Sequence, residues 1–278
     1  MQFTKMHGAG NDYIYVNGFE VDVPDPPALA RRMSDRHLGV GGDGLILVLP
    51  SDAADCRMRM FNADGSEAQM CGNGVRCLAK YAYERGLARS NPMRVETLGG
   101  VKVLDLELDG DRVVAADVDM GTPIFAPADV PVHLDGDRVV DRAVEIAGEP
   151  LTVTCVSMGN PHCVIFVPAV ADAPVTTLGP RIETADLFPE RTNVEFVEVV
   201  SRGDVRQRTW ERGSGETLAC GTGACAALVA GVLSGRTDRA VTDHLLGGDL
   251  RLRWPEGGSV HMAGNAVEVF TGNWPDPE

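Results

Sequence analysis

The apolar positions of the chain follow two periods. Cys56-Arg57-Met58-Arg59-Met60-Phe61 alternates, as does the stretch from Val205 to Trp210, and alternation sets one face of a strand against a core. Shorter runs of the same character at 44–49, 93–97, 101–108, 112–119, 151–156, 163–167, 194–199, 249–254 and 266–270 also read as strands. Helical signals are fewer. One helix is predicted from about 74 to 85 and another from about 223 to 234, with Gly86 and Gly235 just past their C-terminal ends. The second is apolar nearly all round and is expected to be fully buried. The first carries Val75, Leu78, Ala79 and Ala82 on one side and is also expected to be largely buried. Two more helices are expected at 27–34 and about 174–187, each with a proline near its start.

Two segments repeat. Phe61-Asn62-Ala63-Asp64-Gly65-Ser66-Glu67-Ala68-Gln69-Met70-Cys71-Gly72-Asn73-Gly74 aligns without gaps on the stretch from Trp210 to Gly223, with aromatic, Glu, Cys, Gly and Gly coinciding. Cys71 and Cys220 therefore lie 149 positions apart, and Gly10-Asn11 and Gly159-Asn160 repeat at the same offset. Two separated pairs on one offset point to an internal duplication. The fold expected is α+β, with two pseudo-symmetric domains, each a curved, mostly antiparallel sheet wrapped around a central helix. The break is expected near Met120-Gly121-Thr122-Pro123, giving one half at 1–119 plus about 265–278 and the other at 120–264.

Composition narrows the function. The chain has 278 residues, enough for two domains, and 25 basic against 40 acidic residues give a net charge of −15. With no basic block, nucleic acid and anionic membrane surfaces are poor partners. The longest run of apolar residues and glycine, Ala224 to Leu233, is far short of the ~20 residues a membrane span needs. The N-terminal residues lack the apolar core of a secretory signal. Seven cysteines, an odd number, suit reduced thiols and a cytoplasmic location.

Each Cys-Gly-x-Gly sets a thiol immediately before a helix start. Free N–H groups and partial positive charge there are expected to lower the thiol's pKa and to receive a carboxylate. Two such thiols suit racemisation or epimerisation, in which one sulfur removes a proton and the other returns one from the opposite face. The only lysines are Lys5, Lys80 and Lys102, none in a context suggesting pyridoxal phosphate. Cys56, Cys77, Cys155, Cys163 and Cys225 read as small core residues. A metal site from Cys71, Cys77, Cys220, Cys225 and His162 does not match zinc-ligand spacing, so no metal is expected. Gly39-Val40-Gly41-Gly42-Asp43-Gly44 lacks a phosphate-loop ending and reads as a turn. His37, His133, His244 and His261 read as structural or solvated.

The motifs together resemble the diaminopimelate epimerase family. They are His7-Gly8-Ala9-Gly10-Asn11-Asp12, Asn62-Ala63-Asp64-Gly65-Ser66-Glu67, Cys71-Gly72-Asn73-Gly74-Val75-Arg76-Cys77, Gly159-Asn160-Pro161-His162, Thr192-Asn193-Val194-Glu195-Phe196, and Glu211-Arg212-Gly213-Ser214-Gly215-Glu216-Thr217 followed by Cys220-Gly221-Thr222-Gly223. The resemblance implies a cofactor-independent isomerase that interconverts LL- and meso-2,6-diaminopimelate in lysine and peptidoglycan precursor biosynthesis. It implies Cys71 and Cys220 as the acid–base pair, with His162 and Glu211 beside the reacting carbon. Asn11, Asn62, Asn160, Asn193 and Arg212 would grip the substrate's two amino-acid ends, with Glu211 taking an ammonium. Gly72, Asn73, Gly221 and Thr222 would supply the helix-end donors. The family is typically homodimeric. Gly44 departs from relatives that carry glutamine there; as the offset partner of Asn193 it is expected to line the site through backbone or water. The alternatives are a related racemase acting on another amino acid, or a thiol redox or metal-binding protein using the same cysteines.

Overall fold

The α-helices come as two pairs at the repeat offset. The computed structural model describes residues 1–146 and 148–275; positions 276–278 of the expected N-terminal half lie outside them. Helix α1 (Pro26–Ser34) has its counterpart in α3 (Val175–Glu183), and α2 (Gly72–Glu84) in α4 (Gly221–Leu233), each beginning and ending 149 positions later. The chain divides into two compact units, one Met1–Asp119 with the segment from Ala263 onward, the other Met120–Met262.

The strands of the first unit are β1 (Gln2–Gly8), β2 (Asn11–Asn17), β3 (Gly44–Leu49), β4 (Cys56–Asn62), β5 (Glu67–Ala68), β6 (Met93–Thr97), β7 (Gly100–Asp109) and β8 (Arg112–Gly121), which runs to the boundary. The second unit holds β9 (Val139–Ile146), β10 (Glu149–Ser157), β11 (Pro161–Phe166), β12 (Asn193–Ser201), β13 (Asp204–Glu211), β14 (Gly215–Thr217), β15 (Ala240–Leu245) and β16 (Gly248–Arg253). The chain returns through β17 (Val260–Asn265), and β18 (Val267–Asn273) lies antiparallel on β1.

Both sheets are built by one rule. In the first, β1–β2 is antiparallel, β2–β3 parallel, β3–β4 and β4–β5 antiparallel, β4–β6 parallel, and β6–β7 antiparallel. In the second, β10 to β16 repeat that order of joints. Register repeats as well: Tyr13 pairs with Gly44 and Leu45 with Phe61, as His162 pairs with Asn193 and Val194 with Trp210. The register shifts by one residue at the first joint, where His7 pairs with Asp12 but Val156 with His162, and again at the second parallel joint, where Cys56 pairs with Val95 but Val205 with Asp243.

Each sheet packs both faces, which is why β3 (GLILVL) and the end of β11 from Cys163 to Phe166 read as unbroken apolar runs. Ile14, Val16, Leu45, Leu47 and Phe61 meet Ala30 and Met33 of α1. On the other face Tyr15 donates to the Gly74 carbonyl of α2 at 2.9 Å. In the second unit Val153, Cys155, Cys163, Ile165, Val194 and Phe196 pack on Val175, Leu178 and Ile182 of α3. The central helices touch most strands of their own sheets, α2 against β1–β4, β6 and β7, and α4 against β10–β12, β15 and β16.

Several elements differ from their expected limits. Both central helices start two residues early, at Gly72 and Gly221, because each cysteine itself is the N-cap. Helix α2 is largely buried, as expected, and on all sides from Gly72 to Ala82. Its polar side chains are satisfied inside: Arg76 donates to Asn73 Oδ1 at 2.9 Å, and Lys80 to Glu84 at 2.6 Å and to the Val113 carbonyl at 2.7 Å. Helix α3 ends at Glu183 rather than near 187; Thr184 caps it and its hydroxyl donates to the Pro180 carbonyl at 2.9 Å.

Candidate active site

In the first unit the site grows from the start of α2. Cys71 keeps an extended backbone (φ −133°, ψ 121°), and its sulfur accepts from the Gly74 N–H at 3.4 Å. The sulfur lies 3.2 Å from Oδ1 of Asn11, the first residue of β2. Asn11 Nδ2 donates to Asp43 at 2.7 Å, and the same carboxylate takes the Asp12 N–H at 3.1 Å. Arg36 bridges Asp43 and Asp12 at 3.0 and 2.7 Å, and Lys5 lies 2.6 Å from Asp12. Burial works against the Asp12 carboxylate, but Arg36 and Lys5 hold it below the usual range. Burial, and then the nearby Cys71, push the Tyr13 phenol well above its ordinary value.

Asn62 ends β4 opposite Gly44 and donates to Ser66 Oγ at 3.0 Å. Gly44 is buried, and a Cβ there would collide with the Phe61 carbonyl oxygen and approach the Tyr13 ring. This backbone has no room for a side chain at position 44. Asn73 is buried, with its amide oxygen on Arg76, so only its backbone belongs to the helix end.

The second unit repeats the scaffold with different chemistry. Cys220 caps α4 (φ −111°, ψ 108°), and its sulfur accepts from the Gly223 N–H at 3.4 Å. Thr222 Oγ1 lies 3.6 Å from that sulfur and 3.3 Å from Asn160 Nδ2. Asn160 Oδ1 is 3.1 Å from Nε2 of His162, whose Nδ1 is 2.8 Å from Glu195. Glu211 ends β13 and accepts from the Thr217 hydroxyl at 2.6 Å. Asn193 does not offer a free amide: its oxygen accepts from the Arg212 N–H at 2.9 Å and its nitrogen donates to the Pro161 carbonyl at 2.8 Å. It fixes the turn that carries Arg212, whose guanidinium is exposed and rests on the Glu190 carbonyl at 2.9 Å.

The expectation of a lowered thiol pKa fails at Cys220. Burial, followed by the negative charges of Glu211 and Glu195, pushes this thiol well above its ordinary value. The Gly223 N–H and Thr222 hydroxyl oppose the rise without reversing it. A helix end is a partial charge, and a dry pocket with two carboxylates outweighs it. Burial also raises the Glu211 carboxyl, against hydrogen bonding from Thr217. Cys56 and Cys77 are driven to about 12 and about 11, first by burial, as expected of unreactive core thiols.

The first unit thus gathers Asn11, Cys71, Gly72 and Asn73 around one helix start. The second gathers Asn160, His162, Glu211, Cys220, Gly221 and Thr222 around the other. Asp43 and Arg36, outside every motif, join the first group, and Thr217 and Glu195, which lie within motifs that give them no role, join the second. Asp43 hides in a glycine-rich stretch that reads as a turn. Tyr13 was within reach of the sequence, because it stands 149 positions before His162. No group of three or more His, Cys, Asp or Glu among the described residues is arranged to hold a metal ion.

Comparison with known proteins follows the same halves. The family model described as diaminopimelate epimerase matches residues 3–126 and 154–269. A diaminopimelate epimerase from Moorella thermoacetica is 56% identical over 277 residues, covering 99% of each chain. One from Acetivibrio thermocellus is 54% identical over 273 residues, covering 98% of each. Among solved structures, a phenazine biosynthesis protein of the PhzF family from Bacillus anthracis superposes with a TM-score of 0.70 at 18% identity, covering 98% of each chain, a likeness of fold. With a duplicated scaffold, a cysteine capping each central helix and half of all positions shared along the full length, this chain belongs to the diaminopimelate epimerase family.

Proposed function

We propose that this protein interconverts LL- and meso-2,6-diaminopimelate by two-base proton transfer at the α-carbon. The observation that carries the reading is the pair Cys71 and Cys220, each the N-cap of a central helix at matching positions of a repeated unit. The reaction asks each unit for one sulfur acting on the same carbon. The thiolate takes the α-proton, and the thiol delivers a proton to the other face of the resulting carbanion. Negative charge gathering on the substrate carboxylate is met by backbone N–H groups at Gly72-Asn73 and Gly221-Thr222. Chemistry of this kind needs no cofactor.

Each neighbour has a part. Asn11 receives the Cys71 S–H, and Thr222 stands beside Cys220. Glu211, held by Thr217, takes an ammonium, while Asn160 and His162 shape the same side of the pocket. Arg212 pairs with the distal carboxylate as a fork donor, and Asn62 and the backbone at Gly44 border the other half. Asn193 supports this clamp by fixing the Arg212 backbone. The enzyme works in the cytoplasm as a homodimer, supplying lysine and peptidoglycan precursors, as family membership suggests.

The test is incubation with LL-diaminopimelate in D2O. Formation of the meso isomer with deuterium at the α-carbon is the expected result. Inertness toward this substrate, with turnover of another amino acid in a substrate panel, would overturn the assignment.

A further inference from the structure

A chain of hydrogen-bonding groups in the second unit ends on Cys220 and begins on Glu195, so far only a nearby negative charge. Glu195 and His162 have fully buried side chains 2.8 Å apart. The chain continues from His162 to Asn160 at 3.1 Å, from Asn160 to Thr222 at 3.3 Å, and from Thr222 to the Cys220 sulfur at 3.6 Å. Glu195 Oε1 lies under the first turn of α4, where a Cβ on Gly223 would meet it at 2.7 Å.

The fold does not require a carboxylate there. In the first unit the equivalent of Glu195 is Ile46, which lies under Gly74 in the same way, 2.8 Å from the Cβ that Gly74 lacks. The equivalent of His162 is Tyr13. Burying a carboxylate is costly unless it is paired and hydrogen-bonded, so an acid where its sister unit packs an aliphatic side chain points to chemistry. Its second oxygen, Oε2, has no hydrogen-bond partner among the described residues, which leaves His162 as the group that pairs with this carboxylate.

We propose that Glu195 is a positioning residue which, through His162 and Asn160, turns the Thr222 hydroxyl hydrogen toward the Cys220 sulfur. The inference rests on reading Cys220 as a proton-transferring thiol. Its logic is directional. Both ring nitrogens of His162 face oxygen atoms, so a ring with hydrogens on both nitrogens donates to Glu195 and to Asn160 Oδ1. The buried carboxylate compensates the charge of that ring. With its oxygen engaged, Asn160 must present its N–H2 to Thr222 Oγ1. The threonine oxygen then accepts, and its own hydrogen is left to point at sulfur, where it supports the thiolate. Without the carboxylate's charge the ring becomes neutral. Its bare Nε2 then calls for the amide N–H2, the Asn160 amide turns over, and Thr222 donates to Asn160 Oδ1 rather than to sulfur.

Glu195→Gln tests this with the shape preserved. The readout is the alkylation rate of Cys220 by iodoacetamide at pH 9, followed peptide by peptide in the substrate-free protein. Glu195→Gln is expected to slow it about tenfold, the scale of one lost hydrogen bond to a charged group. In a Thr222→Val background the same substitution should give no slowing, and removal of a nearby negative charge should leave the rate equal or higher. Faster alkylation in the single variant, or equal slowing in both backgrounds, overturns the proposal. A second measurement needs no variant at position 195. Ring 15N NMR of the wild-type protein, assigned against His162→Gln, should show hydrogens on both nitrogens of His162. A neutral ring overturns the proposal even if Glu195→Gln does not fold. These readouts use no substrate, so wild-type turnover of LL-diaminopimelate reports separately on the assigned reaction.

Discussion

Asp43 holds the amide nitrogen of Asn11 at 2.7 Å and so decides which end of that amide the Cys71 sulfur meets. The amide oxygen is left 3.2 Å from the thiol, and Arg36 steadies the carboxylate from behind. Removing the carboxylate frees the amide to rotate. Asp43→Ala is expected to lower kcat/KM for LL-diaminopimelate about 10–100-fold while far-UV circular dichroism stays unchanged, the scale of losing one charge-assisted hydrogen bond that orients a reacting group. Unchanged kinetics would remove Asp43 from the machinery.

The paired cysteines make the starkest prediction. Cys71→Ala and Cys220→Ala should each abolish epimerisation, because inversion by two bases fails when either is missing. Cys→Ser should retain a trace of turnover, since a hydroxyl still exchanges protons. Each alanine variant loses only a thiol that caps its own helix, at a cost of about 0.5–2 kcal/mol, so both should fold. Turnover of the LL isomer near the wild-type rate by either variant contradicts the mechanism.

Cys220 should be a reluctant nucleophile in the substrate-free protein. Burial and the charges of Glu211 and Glu195 disfavour its thiolate. The thiolate fraction should therefore grow only above the pH range of an ordinary thiol, about 8.5. Alkylation of Cys220, measured by mass spectrometry between pH 6 and 10, is expected to be slow at pH 7 and still rising at pH 9. A plateau by pH 7 would show that the helix end dominates after all.

Asp243 ties stability to pH. It is fully buried on β15, and neither carboxyl oxygen has a hydrogen-bond partner among the described residues. Burial, then Asp249 and Glu195, push its pKa well up. A raised carboxyl pKa means that the folded state holds a proton the unfolded chain releases above about pH 4. Its contribution is full below that pH and is lost as pH rises toward the folded value. Asp243→Asn removes the titration. Its Tm should exceed that of the wild type by about 2–4 °C at pH 8, what ~1 kcal/mol gives in a domain of this size. The difference should shrink at pH 5. Scanning calorimetry at both values is the check, and a constant difference would mean that Asp243 does not titrate with folding.

The repeat, the central helices and the two capping cysteines are legible in the chain before any packing is considered. These are local matters: alternation marks the strands, Gly86 and Gly235 mark the helix ends, and Cys-Gly-x-Gly recurs at one spacing. The sequence also carried the family, through six ordered motifs. Tertiary structure alone decided the charge around each sulfur. Glu195 lies in a motif that says nothing of its partner, and only the register of β11 on β12 brings it to His162. Asp43 lies 32 positions from Asn11 and reaches it because β2 and β3 run parallel. Cys71 and Cys220 look alike in sequence, since each caps a helix in the same way. Cys220 sits in a dry pocket with two carboxylates, because desolvation and through-space charge depend on what the whole fold packs around a group and not on its neighbours in the chain.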